Sequence, residues 1–215
     1  MCGICGIFNL NGEPVSPVNL RNMTDAIAHR GPDGEGFYID SFIGLGHRRL
    51  AIIDLSPLGH QPMVSQDGRY TISYNGEVYN FQELRAELEA LGCPFRSRTD
   101  TEVVLYAYSK WGPKCLERFN GMFAFAVWDK NRQELFLARD RYGIKPLYYT
   151  FLGNYFLFSS EQKGIITHPT LNRELDLEAL LEYFTFQNIF TDKTFFKGIK
   201  LFPAGCWAKL PLGAI

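Results

Sequence analysis

The chain has 215 residues, of which 46% are hydrophobic and 21% charged, with a formal net charge of −1. That balance supports a sizeable apolar core, excludes a disordered chain, and offers no broad attraction to nucleic acid or an anionic membrane surface. Aromatic residues reach 15%, with 18 Phe and 11 Tyr, which points to a sheet-bearing, aromatic-rich interior. No apolar run has bilayer-spanning length, and the first residues lack the basic region of a signal peptide. The five cysteines are scattered and odd in number, which argues for a reducing compartment over a disulfide framework, so the cytoplasm is the expected location.

In chain order, "CGICGIFNL" reads as a buried strand whose glycines permit close backbone approach. "SPVNLRNMTDAIAHR" predicts a helix: Ser16 can cap it, Pro17 suits its first turn, and Leu20, Met23 and Ile27 share a face. "GEGFYID" and "FIGLGHRRLAIIDL" read as paired strands, followed by the turn-rich "SPLGHQPM". "RYTISYNGEVYNF" alternates about Asn75-Gly76, the strongest short-range signal for a hairpin with a type I′ turn. The helix "FQELRAELEALG" is expected to be capped by Asn80, with Glu83 three residues on, and stopped by Gly92. Thr99 and Glu102 form a similar box opening "TDTEVVLYAYSKWG", and a short helix follows near "PKCLERF". Four apolar strands come next: "GMFAFAVWD", "QELFLARD", "PLYYTFLG" and "YFLFSS". The remainder combines helical "EQKGIITH" and "DLEALLEYF" with strand-like "GIKLFPAGCWAKL". Strands run in hairpin-like groups and helices in pairs, without βαβ alternation. The expected class is layered α+β with largely antiparallel sheets.

Cys2 directly follows the initiator methionine. Removing Met1 would leave one residue carrying a thiol and a free α-amine, with ordinary pKa values of about 8.5 and about 7.7–8.0, so the neutral amine could take the thiol proton. A retained Met1 makes that nitrogen a non-basic amide, so this chemistry requires trimming. The plainer reading, a buried strand cysteine, stays open. Cys5 makes "CGIC" a Cys-x-x-Cys, but zinc needs two further ligands, and a redox pair would open a helix rather than sit in a glycine-rich strand. Cys5 is therefore assigned to the core. Where Asn75-Gly76 is not a turn, its carboxamide NH₂ and neighbouring N–H are two donors that could converge on one oxygen, as an oxyanion hole needs. Arg48 and Arg49 beside a strand are either solvated edge residues or a planar fork for a carboxylate. Asp100 lies at a helix start, where capping and dipole alone favour a carboxylate. "HRGPDGEG" and "RDRYGIKPLYY" are turns by composition. No phosphate loop of the G-x-x-x-x-G-K-[ST] type and no Ser-Gly-Gly stretch is present, so nucleotide binding is not expected of this chain.

Seven strings, "MCGICGIF", "HRGPDGEG", "LGHRRLAIIDLSPLGHQPM", "YNGEVYNFQELRAELEALG", "RTDTEVVLYAYSKWG", "LERFNGMFAFAVWD" and "RDRYGIKPLYY", occur here in an order and spacing that resemble the N-terminal glutaminase domain of glutamine-hydrolysing asparagine synthetases. That domain is a class II glutamine amidotransferase with the N-terminal-nucleophile hydrolase fold. The resemblance covers residues 2–205, ending in "FPAG", with 206–215 as the domain's edge or the start of a following synthetase region. It implies a four-layer αββα sandwich of two mainly antiparallel sheets. It also implies Cys2 as nucleophile, the Asn75 side chain and Gly76 N–H as oxyanion donors, Arg49 on the glutamine α-carboxylate and Asp100 at its α-amine. Glu77 and the backbone of Ile52 and Ile53 would complete the substrate contacts. The implied partners are L-glutamine and a C-terminal synthetase domain, in cis or as a separate subunit, with no nucleic acid and no membrane. ATP and Mg would belong to that synthetase domain, leaving this chain without cofactor or metal. A non-catalytic scaffold, an acylase for another amide, and an ammonia acceptor other than aspartate are the competing readings.

Overall fold

The computed structural model describes residues 1–214. Eleven strands form two sheets, and every strand pair within them is antiparallel. The first sheet runs in the order β10 (Lys200–Leu201), β8 (Tyr148–Leu152), β9 (Tyr155–Ser159), β1 (Gly3–Asn9), β3 (Ile43–Arg49), β2 (Gly34–Asp40). The second runs β11 (Trp207–Pro211), β7 (Glu134–Arg139), β6 (Gly121–Asp129), β5 (Tyr70–Val78), β4 (Met63–Val64).

Strand alternation sorts side chains into three apolar layers. From β1, Ile4 and Phe8 face the second sheet, where they join Ala124, Ala126 and Trp128 of β6 and Leu135 and Leu137 of β7. Cys5 and Ile7 face the other way, onto Leu20 and Met23 of α1 (Pro17–Ala26), Ile27 just beyond it and Ile165 of α5 (Gln162–Ile166). The opposite faces of β5, β6 and β7 present Ile72, Tyr74, Phe123, Phe125, Val127 and Phe136 to α2 (Phe81–Ala90) and α3 (Asp100–Trp111). Helix, sheet, sheet, helix: the chain is the four-layer αββα sandwich expected.

Local signals hold at most helix ends. Ser16 accepts the N–H of Asn19 and Thr99 that of Glu102, while Gly92 follows α2 at φ +80°. Asn80 does not cap α2; its carboxamide donates to Arg118 O (3.0 Å) and accepts from Asn120 N (3.0 Å), tying the helix start to the segment leading into β6.

Two strand expectations are corrected. β3 stops at Arg49, and Leu50–Asp54 forms a loop, because both neighbouring strands end there: Gly34 of β2 is opposite Arg49, and Gly3 of β1 is opposite Arg48. The larger correction concerns Asn75-Gly76. These residues are not a hairpin turn but the interior of β5, opposite Ala124 and Phe123 of β6. Gly76 has no positive φ, which a type I′ turn would require. Its glycine serves close approach instead: a Cβ there would lie 2.6 Å from Met122 O and 2.8 Å from Phe123 Cβ.

Beside the site the two sheets are hydrogen-bonded to each other. Ser73 Oγ of β5 donates to Gly46 O of β3 (3.1 Å), and the His47 ring bonds Tyr74 O through Nε2 (3.1 Å). A carbonyl can only accept, so His47 is the Nε2–H tautomer. Burial keeps it neutral, with its pKa pushed down to about 3. These bonds sit one residue from Asn75 and two from Arg49, and they set the distance between the strands that carry the site.

Candidate active site

Cys2 emerges at the end of β1, the strand flanked by β9 and β3 in the first sheet. Because Gly3 is opposite Arg48, the chain leaving β3 passes alongside Cys2. Leu50 N donates to Cys2 Sγ (3.4 Å), and the thiol donates to Leu50 O (3.6 Å). Burial pushes the thiol pKa up, against the Leu50 bond, the terminal ammonium and Arg49, which pull it down. The backbone is anchored from below, where Arg30 Nε donates to Cys2 O (2.9 Å).

A cleft of about 200 Å³ opens over Cys2, lined also by Arg49, the 50–54 loop, Asn75, Gly76, Glu77, Asp100 and Lys145. All eight residues singled out from the sequence therefore share one wall system: Cys2, Arg49, Ile52, Ile53, Asn75, Gly76, Glu77 and Asp100. Ile52 is 72% exposed, so its side chain is not part of the core.

The two donors are explained by strand geometry. Asn75 is 1% exposed, yet its Nδ2 has no hydrogen-bond partner among the described residues. A buried unpaired donor costs about 1–3 kcal/mol, a penalty that an incoming oxygen atom removes. For Gly76 the argument is alternation. Its partner Phe123 turns both backbone groups to Asp140: Phe123 N donates to Oδ2 (3.1 Å), and Phe123 O accepts from Asp140 N (2.8 Å). Gly76 and Phe123 are thus a non-hydrogen-bonded pair, and the Gly76 N–H points off β5 away from β6. The same edge carries Tyr74 N, taken by Gln61 Oε1 (2.7 Å), and Val78 N, taken by Asp100 Oδ2 (3.1 Å). Between these two satisfied groups the Gly76 N–H has no protein acceptor among the described residues.

The charged ends are equally built. Arg49 Nη1 donates to Ser56 O (3.0 Å) and Nη2 to Asp54 O, so the guanidinium holds the loop and faces the cleft. Gly59 packs against it where any side chain would collide. Asp54 shapes the same loop, accepting Ser56 N (2.9 Å) and Arg98 N (3.0 Å); the Ser56 hydroxyl first, and then these backbone bonds, hold its pKa down at about 2. Asp100 is 4% exposed; Oδ2 accepts Tyr74 O–H (2.7 Å) as well as Val78 N–H. Burial nonetheless raises its pKa, outweighing those bonds. A cleft with a cation at one side, a carboxylate at another, and two free donors beside a thiol suits a zwitterionic amino acid bearing a carbonyl.

Sequence reasoning missed Gln61, Tyr74 and Lys145. Gln61 bridges β5 to α3, accepting from Tyr74 N and donating Nε2 to Thr101 Oγ1 (3.2 Å). No local pattern marks it. Cys5 is a sealed core thiol against Thr24 Oγ1 (3.2 Å), its pKa pushed up to about 12.

Comparison with known proteins identifies a family over the whole chain. The family described as "Glutamine amidotransferase domain" matches residues 1–215. "Asparagine synthetase [glutamine-hydrolyzing] 3" of Bacillus subtilis is 44% identical over 204 residues, covering 93% of this chain and 33% of the relative. "Putative asparagine synthetase [glutamine-hydrolyzing] 2" of Methanocaldococcus jannaschii is also 44% identical, covering 86% and 39%. The chain thus spans little more than a third of the length of these relatives. A solved structure of glutamine phosphoribosylpyrophosphate amidotransferase from B. subtilis superposes with a TM-score of 0.67 at 22% identity, over 81% of this chain and 45% of that one, which supports the fold. With a family model matching its whole length and relatives 44% identical, the chain belongs to the glutamine amidotransferase domain family.

Proposed function

We propose that this chain, once Met1 is removed, hydrolyses L-glutamine to glutamate and ammonia through a thioester on Cys2. The observation that carries the reading is the pair of unpartnered donors, Asn75 Nδ2 and Gly76 N–H, opening on the same cleft as Cys2. The Cys2 α-amine takes the thiol proton as sulfur bonds to the carboxamide carbon, and the oxygen gains the negative charge that the two donors stabilise. The resulting ammonium returns its proton to the leaving nitrogen, ammonia departs, and a γ-glutamyl thioester remains. Water then cleaves the C–S bond, releasing glutamate and restoring the thiol. Arg49 selects the α-carboxylate and Asp100 the α-amine, with Glu77 and the Ile52–Ile53 backbone as the remaining contacts.

The ammonia is assigned to an asparagine-forming reaction, because the relatives named as asparagine synthetases share this domain as about a third of their length. In that scheme a synthetase region, in cis or on a separate subunit, uses ATP and Mg. All five cysteines are free, which suits the reducing cytoplasm.

The test uses protein whose mass shows Met1 removed. It should yield one glutamate and one ammonia per glutamine, and a glutamine-analogue chloroketone should inactivate it while labelling Cys2. Trimmed protein that releases no glutamate and leaves Cys2 unlabelled refutes the reading. Transfer to aspartate is tested separately, by asparagine formation in the full-length protein with ATP.

A further inference from the structure

The turn "RDRYGIKPLYY" is fixed more firmly than a connection requires. The Asp140 carboxylate accepts four backbone N–H groups: Phe123 (3.1 Å), Tyr142 (3.1 Å), Ile144 (2.9 Å) and Lys145 (3.0 Å). From the carbonyl side, the Arg139 guanidinium gathers Lys145 O (2.8 Å), Phe202 O (2.5 Å) and Gly143 O (2.6 Å). The result is to deliver Lys145 into the cleft that holds Cys2, Asn75 and Gly76.

Lys145 is only 5% exposed, and its ammonium has no carboxylate partner among the described residues; its one side-chain contact is Met1 Sδ at 3.4 Å. A thioether is a weak acceptor and does not offset the burial of a charge. Burial and nearby Arg30 pull the Lys145 pKa down, while Cys2, Glu77 and Asp140 act in the opposite sense. Besides the terminal ammonium, the cations near Cys2 are Arg49, which donates to Ser56 O and Asp54 O, and Arg30, which donates to Cys2 O and Glu161 Oε1 (3.0 Å) while its buried Nη2 has no partner among the described residues. Of these side chains, Lys145 is the one that donates to no oxygen atom among the described residues.

We propose that Lys145 is a further cation that favours negative charge on Cys2 Sγ and on the tetrahedral oxyanion, and that removal of Met1 frees its head group for that role. This rests on the glutamine-hydrolysing reading above. A cation beside Cys2 favours thiolate over thiol and neutral amine over ammonium, the two forms that attack requires. It acts against Asp54, Glu77 and Asp100, the carboxylates lining the same cleft, and in the same direction as the terminal ammonium, Arg49 and Arg30. Lys145 makes and breaks no bond.

The experiment compares trimmed full chains of the parent, Lys145→Met, Lys145→Gln and Lys145→Arg. The rate of iodoacetamide alkylation is followed against pH and read at Cys2 by peptide mass. Both neutral variants should move the Cys2 midpoint up by about one pH unit, with Lys145→Arg staying near the parent. In glutamine hydrolysis the neutral variants should lose about tenfold or more in kcat, with KM within about threefold. An unmoved midpoint in both neutral variants overturns the proposal, as does a large rise in KM at constant midpoint, which would place Lys145 on the substrate carboxylate. Alkylation does not depend on turnover. A shifted midpoint in a chain that fails to hydrolyse glutamine therefore refutes the reaction while upholding the assignment of Lys145 to the thiol.

Discussion

Replacing Asp100 by Asn separates the stability of the free protein from recognition of its substrate. In the free protein Asp100 is 4% exposed, and burial holds its pKa above the ordinary carboxylate range despite the Tyr74 and Val78 bonds. The unfolded carboxyl titrates near its usual value of about 3.9, so between there and the raised folded value the native state binds more protons. Stability therefore falls as pH rises through that window and stays lower above it. Asn carries no charge, and its Oδ1 can keep both acceptor bonds, so Asp100→Asn should leave the melting temperature at pH 7 equal to or above the parent. Glutamine reverses the balance. Its ammonium meets a carboxylate in the parent and an amide NH₂ in the variant, a donor facing a donor. Removing one partner of a buried charge pair costs about 2–5 kcal/mol, which corresponds to a KM higher by about 30-fold or more. The assay is glutamate release against glutamine concentration, with urea unfolding at several pH values alongside. A KM within about threefold of the parent would refute the assignment of Asp100 to the α-amine. A melting temperature lowered by several degrees would refute the burial argument instead.

Asn75→Ala should cut kcat by about 10²–10³ while KM changes little, since only the transition state uses the Nδ2 donor; steady-state glutamate release checks this. Arg49→Ala should raise KM for glutamine by about tenfold or more, and a glutamine analogue lacking the α-carboxylate should show no such difference between parent and variant. His47→Gln tests the inter-sheet pin. The unfolded imidazole protonates near its ordinary pKa of about 6.5, whereas the folded ring resists down to about 3, so acid favours unfolding by about 1.4 kcal/mol per pH unit below 6.5. Urea midpoints between pH 7 and pH 5 should fall more steeply in the parent than in His47→Gln.

Much of the fold was legible because its signals are local. Ser16, Thr99 and Gly92 act on groups within a turn of themselves, and the structure uses each as the sequence proposes. The alternation of β1 and β6 likewise puts consecutive side chains on opposite apolar layers. The failures share a cause, which is a partner remote in sequence. Asn80 has the chemistry of a cap but spends it on Arg118 and Asn120. "LAIID" has the composition of a strand but no neighbour to pair with. Gln61, Tyr74 and Lys145 gain their roles only through contacts with α3, Asp100 and the N-terminal segment. Seven ordered strings supplied the candidate site residues by resemblance, the structure gathers them in one cleft, and none of them carries a local signal specific to its proposed role.

Asn75-Gly76 is the instructive case, because the error and the function come from the same two residues. Asn-Gly favours a type I′ turn when the flanking segments can pair with each other. Here β6 supplies a nine-residue partner for β5, and a long ladder outweighs a two-residue preference. The site depends on that outcome. Along the open edge of β5, every second N–H points toward the cleft, and the protein caps Tyr74 with Gln61 and Val78 with Asp100. The Gly76 N–H is the gap left in that row, and Asn75, one residue earlier, adds the second free donor. A glycine is needed at the gap because Met122 O and the Phe123 backbone approach within 3 Å of where a Cβ would stand. The proposed oxyanion hole is thus an interruption in an otherwise satisfied strand edge, held open by a strand pairing that no short-range pattern announces.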